Sequence, residues 1–179
     1  MGPPPSHLAR AGRMNPAGIS YFYLALEKET ALAEVVSGSP CSAAIARFDI
    51  SRDLRVLDLT NIPTLPSIFD YSRRKEREGL IFLHKFVNEI TKPVRKDGHE
   101  HIEYVPSQVV SEYFALVFQI NEGQHLDGIL YPSAVRKNGR NLVLFPSKRC
   151  NFDIKFDHVA LQDVYKMTFA DCTELFTAI

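Results

Sequence analysis

One arginine, one tyrosine, one glutamate and one serine stand where side chains of their type can do chemistry. Arg13 lies in a turn rich in Gly, Asn and Pro, Gly12-Arg13-Met14-Asn15-Pro16-Ala17-Gly18. The next segment, Ile19-Ser20-Tyr21-Phe22-Tyr23-Leu24-Ala25, is β-branched and aromatic, which predicts a strand carrying Tyr23. Glu34 falls at the end of a short helical run, among Ala31, Leu32, Ala33, Val35 and Val36. Three adjacent elements thus bring Arg13, Tyr23 and Glu34 into one neighbourhood. Charged groups beside an apolar core are costly unless paired or used, so this is where chemistry is expected. Ser133 comes from a distant segment, Asp127-Gly128-Ile129-Leu130-Tyr131-Pro132-Ser133. A strand ends at Tyr131, Pro132 forces an extended exit, and Ser133 sits just past the strand end, a common place for site residues. Taken alone, a turn serine bonded to backbone is much the better account of it.

Other constellations carry less. His99-Glu100-His101 would bring two imidazoles to one face if the segment were a strand. No third ligand follows at a recognisable spacing, and a charged exposed loop is the better reading, so no metal is expected. Cys41, Cys150 and Cys172 show no C-x-x-C spacing and no nucleophile motif. Their odd number fits a reducing compartment better than a disulfide scaffold. Gly12 and Gly18 precede a strand instead of following one, the wrong context for a dinucleotide fingerprint. Ser107, opening a helix, reads as a cap or first-turn residue.

Composition excludes further classes. Lys+Arg and Asp+Glu are both 21, so there is no net basic charge to hold nucleic acid by bulk electrostatics. The run Arg73, Arg74, Lys75 and Arg77 reads as the solvated start of a helix. No apolar run approaches a membrane span, and the N-terminus lacks a signal-peptide core. The expected setting is cytoplasmic. At 179 residues, 45% hydrophobic and 23% charged, the chain suits one ordinary globular domain.

The elements that must position these residues follow from periodicity. Residues 1–11 read as an extended, proline-rich lead-in. Strands are expected at Ile19 to Leu26, Ser42 to Ile50, Leu54 to Leu59, Gly128 to Tyr131, Asn141 to Phe145, Phe152 to Phe156 and Tyr165 to Phe169. Ser51-Arg52-Asp53 reads as a turn. Helices are expected at Thr30 to Val36, Glu76 to Ile90 and Val105 to Phe118. The last is given an apolar face of Val109, Val110, Tyr113, Phe114, Val117 and Phe118. The segment Lys92 to Glu103 is expected to be a charged loop. The order predicts a single α+β domain, residues 12–179, with a mixed sheet flanked by helices.

Together these segments resemble the RES domain family, named for its arginine, glutamate and serine. The matching pieces are Gly12-Arg13-Met14-Asn15-Pro16 with Gly18; Tyr21-Phe22-Tyr23; Ala31-Leu32-Ala33-Glu34; Tyr104-Val105-Pro106-Ser107-Gln108 with Glu112-Tyr113; Asp127-Gly128-Ile129 with Tyr131-Pro132-Ser133; and Asn141-Leu142-Val143-Leu144-Phe145. They occur in the family's order, and the longer members are the better likeness. The resemblance implies a split sheet similar to that of ADP-ribosyltransferases. It also implies cleavage of the nicotinamide–ribose bond of NAD, with water or inorganic phosphate as acceptor. In such toxins NAD is a substrate and no cofactor is needed. The usual partner is an Xre-type antitoxin protein.

By position, the resemblance makes Arg13 and Glu34 the catalytic pair and Tyr23 and Ser133 the substrate-binding residues. The residue types suit that chemistry. Loss of nicotinamide leaves an oxocarbenium-like ribose, which a carboxylate such as Glu34 stabilises. Arg13 offers a planar fork for phosphate oxygens. The Tyr23 ring can stack on nicotinamide, and Ser133 can orient ribose or phosphate. Two other functions stay open: ADP-ribosyl transfer to a macromolecule, and a catalytically weakened interaction module. The second follows from one departure. The family pattern has another arginine on a strand upstream of the turn, and Arg10 lies too close to Arg13 to fill that place. A lead-in truncated over residues 1–11 would leave an unpaired strand edge beside the site.

Overall fold

The computed structural model describes residues 2–36, 43–50, 52–92, 100–146, 156–160 and 174–178. After a single turn of 3-10 helix at Ser6–Leu8, strand β1 runs over Phe22–Ala25 and helix α1 over Lys28–Val35. Strands β2 (Ile45–Asp49) and β3 (Val56–Asp58) follow, then helices α2 (Arg74–Thr91), α3 (Glu100–Glu103) and α4 (Val105–Leu116). The described chain closes with β4 (Gly128–Pro132), β5 (Arg140–Leu144), β6 (Phe156–Ala160) and β7 (Glu174–Ala178). This is the expected α+β arrangement.

The strands order as β3-β4-β5-β1-β7-β2-β6. Only β3 and β4 run parallel; the other pairs are antiparallel, so the sheet is mixed. It has two halves. In one, β1 pairs β5 over four positions, and β5 pairs β4 over five. In the other, β2 pairs β7 over five. The halves meet through the single pair Ala25 with Phe176. Among the described residues β1 is flanked by β5 and β7, with β7 paired to it only at Ala25. The segment around Arg52 does not join a hairpin, because β2 and β3 belong to opposite halves.

Side-chain alternation splits the first half-sheet into two faces. One carries Tyr23, Ile129, Tyr131 and Val143, covered by Phe86 and Ile90 of α2 and Phe114 of α4. The stripe of α2 holds because Leu80, Phe86 and Ile90 are buried, with Leu83 and Val87 packed beside them. The other face buries Phe22, Leu24, Leu142 and Leu144 with Ala46 and Phe48 of β2; Phe22 and Phe48 meet edge-on at 5.1 Å. Each such side chain contributes ~1.5–3 kcal/mol on leaving water.

Three expectations are corrected. The apolar face of α4 is two stripes. Phe114 points into the core with Val110 and Phe118 beside it, whereas Val109, Tyr113 and Val117 are exposed, together with Val105 and Leu116. Residues 100–103, expected within a charged loop, are helical; His99 lies outside the described residues. The strand expected at 152–156 lies outside the described residues except for Phe156, as does the one expected at 165–169, and a strand over residues 157–160 was not expected. The cysteines lie outside them too.

Candidate active site

Asn15 is the knot of the N-terminal turn. It is 3% exposed, and its Nδ2 donates to the carbonyls of Arg10, Pro16 and Ile19 at 2.9, 3.1 and 2.9 Å. Its Oδ1 accepts the Tyr23 hydroxyl at 2.8 Å, and that hydroxyl accepts the Met14 backbone N–H at 3.1 Å. Burial raises the Tyr23 phenol well above its ordinary value, the Met14 hydrogen bond offsetting only part of the effect. Gly12 must lack a side chain: a Cβ there would stand 2.6 Å from Asn15 Oδ1 and 2.9 Å from the Tyr23 hydroxyl.

Helix α4 clamps the same turn from outside. Pro106 occupies its first turn, where a missing N–H is harmless. Buried Gln108 donates through Nε2 to the carbonyls of Gly12 and Asn15 at 2.8 and 3.0 Å. The Ser107 hydroxyl, near the carbonyls of Arg13 and Tyr104, ties the helix start to the turn rather than capping an N–H. The lead-in packs against the turn too: Ala9 is buried, and its carbonyl accepts the Gly18 N–H at 2.9 Å.

Arg13 faces the end of α2. Its Nη1 donates to the carbonyls of Ile90 and Lys92 at 2.9 and 2.6 Å. Helix C-terminal carbonyls are short of partners and carry partial negative charge, so a guanidinium satisfies both needs. Part of the fork expected to meet a phosphate thus anchors a helix end.

Two glutamates seven residues apart dock α1 onto β5. Glu27, the residue before the helix, takes the Arg140 Nε on Oε1 at 2.8 Å, and on Oε2 the Arg140 N–H and the Thr30 hydroxyl, both at 2.9 Å. Partial burial pushes its carboxyl up, but these hydrogen bonds outweigh that and hold it below its ordinary value. Glu34, exposed near the far end, takes the Asn141 Nδ2 at 2.6 Å and the Ser133 hydroxyl at 2.8 Å, both on Oε1. Ser133 in turn accepts the N–H groups of Val135 and Arg136 at 3.2 and 3.1 Å. Its single proton goes to Glu34, and its acceptor sites go to the backbone of the loop after β4. Among the described residues, nothing donates to Glu34 Oε2.

The four expected residues thus fall into two groups. Glu34 and Ser133 are in direct contact. Arg13 and Tyr23 belong to the turn. Tyr131, on β4, lies between the groups: burial raises its phenol well above the ordinary value, with Tyr23 and Glu34 adding to the rise and Arg13 opposing it. The contact of Asn141 with Glu34 and the placement of Tyr131 were not anticipated. A signal existed for Asn141: strand alternation sets it on the same face as core residues Val143 and Phe145, and a polar residue on a core face needs a partner. Among the described residues, no three His, Cys, Asp or Glu side chains gather to hold a metal ion, and no helix is long and apolar enough to cross a membrane.

The fold thus carries a mixed half-sheet, a knotted Arg/Asn turn and a glutamate held by a serine. The RES domain model matches residues 1–164, and the chain belongs to the RES domain family, in general an NAD-related toxin domain. No curated protein and no solved structure matches the chain.

Proposed function

We propose that this protein cleaves the nicotinamide–ribose bond of NAD, with water or inorganic phosphate accepting the ADP-ribosyl group. One observation carries the reading: of the two glutamates docking α1, Glu27 has both carboxylate oxygens consumed, whereas exposed Glu34 is held through one. A carboxylate fixed on one oxygen can offer the other to positive charge developing at the ribose. NAD is the substrate, and the chemistry asks for no metal because the leaving group is already a pyridinium. The Tyr23 ring is the proposed nicotinamide platform, and family membership makes an Xre-type antitoxin the proposed protein partner.

The test is incubation of purified protein with NAD, with and without phosphate. Nicotinamide plus ADP-ribose marks hydrolysis, ADP-ribose phosphate marks phosphorolysis, and a labelled macromolecule marks transfer. Glu34→Gln keeps an Oε1 acceptor for Ser133 and Asn141, so the variant stays folded, and cleavage falls ~100- to 1000-fold. Wild-type turnover by the variant refutes the role of Glu34. A second reading, a non-catalytic interaction module, is favoured by the engagement of Arg13 with α2. Intact NAD after incubation with folded wild-type protein would select it.

A further inference from the structure

We infer that Asn141 is a positioning residue that fixes the Glu34 carboxylate and decides which oxygen is presented. The inference rests on the NAD-cleavage reading for its kinetic consequence, and on hydrogen-bond geometry alone for its structural part. Asn141 is 5% exposed, and its Nδ2 to Glu34 Oε1 distance of 2.6 Å is the shorter of the two contacts that hold the carboxylate. Its backbone is fixed on both sides, opposite Ala25 of β1 and Tyr131 of β4. Directly opposed strand residues share a face, so Ala25, Asn141 and Tyr131 form one row across the half-sheet.

Glu34 itself is a poor candidate for self-orientation. It is exposed, near the end of a helix of only eight residues, and a glutamate side chain has several rotatable bonds. Orientation therefore has to be imposed from the sheet and from the loop after β4. Asn141 supplies the first and Ser133 the second, and both bind Oε1. The converging donors hold Oε1, and among the described residues none donates to Oε2. Misplacing a reacting group by about 1 Å costs ~100-fold in rate, so losing one of the two donors should be felt in turnover rather than in substrate binding.

Two measurements test this. In the first, the side-chain amide of Asn141 is followed by NMR in wild type and in Glu34→Gln. A downfield-shifted Nδ2 proton that moves on substitution is expected. An Asn141 amide unaffected by the change refutes the contact, whatever the protein does to NAD. In the second, Asn141→Leu and Asn141→Asp are assayed on NAD beside wild type, with folding checked by thermal denaturation. Asn141→Leu should lower kcat ~10- to 100-fold with KM within about threefold. Asn141→Asp sets a second carboxyl against Glu34; it can donate only when the pair carries a proton, so activity should recover as pH falls into the carboxylate range. The Tyr131 phenol, raised by burial, stays neutral across that range, and the Ser133 hydroxyl does not titrate there. A folded Asn141→Leu protein with wild-type kcat, or an Asn141→Asp profile parallel to wild type, overturns the inference. A wild-type protein that leaves NAD intact overturns the functional reading instead, and the NMR result still decides the contact.

Discussion

Replacing Tyr23 by phenylalanine separates the two jobs its side chain could hold. The ring stays, so any stacking on nicotinamide stays; only the hydroxyl is removed. That hydroxyl donates to Asn15 Oδ1 and accepts the Met14 N–H, and both partners are almost fully enclosed, Asn15 at 3% and Met14 at 0% exposure. The variant leaves one buried acceptor and one buried donor unsatisfied. Each orphaned group costs ~1–3 kcal/mol, so Tyr23→Phe should destabilise the fold by about 2–6 kcal/mol. For a chain of this length each kcal/mol moves the thermal midpoint by ~2–4 °C, which gives a fall of about 4–24 °C. Circular dichroism melts measure it. The double change with Asn15→Ala should cost less than the sum of the single changes, because the shared contact is lost only once. Below the variant's melting range, NAD cleavage per folded molecule should remain near wild type. An unchanged midpoint refutes the argument that the hydroxyl holds the turn. An unchanged midpoint with turnover abolished would place the phenol itself on the substrate.

Three further predictions follow from the contacts. Arg13→Ala removes two hydrogen bonds from the end of α2, which should cost about 1–2 kcal/mol at this half-exposed position and lower the thermal midpoint; an unchanged midpoint with weakened NAD binding would restore Arg13 to a substrate role. Glu27 titrates below its ordinary value of 4.5 in the folded protein, so its contribution is present above that value and lost as pH falls through the depressed one. The stability gap between wild type and Glu27→Gln, followed by urea denaturation, should therefore narrow as pH falls from neutral to below 4.5; a gap constant with pH would refute the assignment. Ser133→Ala frees Glu34 from one donor and should reduce turnover ~10- to 100-fold with little change in KM, whereas a change confined to KM would mean that Ser133 contacts substrate directly.

The elements were legible because their patterns are local. The stripe Leu80, Leu83, Phe86, Val87 and Ile90 admits only a helix, and the β-branched, aromatic run ending at Ala25 admits only a strand. The RES motifs were legible as well, since each is a short block in a fixed order. What was not legible depends on partners distant in sequence. Nothing near Arg13 announces that its guanidinium meets the last carbonyls of α2, so it read as a free fork. Helix α4 has apolar residues on two stripes, and periodicity cannot say which faces the sheet; packing against Phe86 chose Phe114. Asn141 read as the first residue of a strand, because its importance comes from Glu34, which belongs to another element.

The junction between the half-sheets sets an order of assembly. β7, residues Glu174–Ala178, sits between β1 and β2, two strands from the first third of the sequence. A chain emerging from the ribosome N-terminus first can pair β1, β5, β4 and β3 once residue 144 is available, and with them it can seat the Glu34 contacts. β2 has no such opportunity: its described neighbours are β6 and β7. The half-sheet bearing the site can therefore form ahead of the half that completes the domain, because its strands are all made by residue 144 and those of the other half only by residue 178.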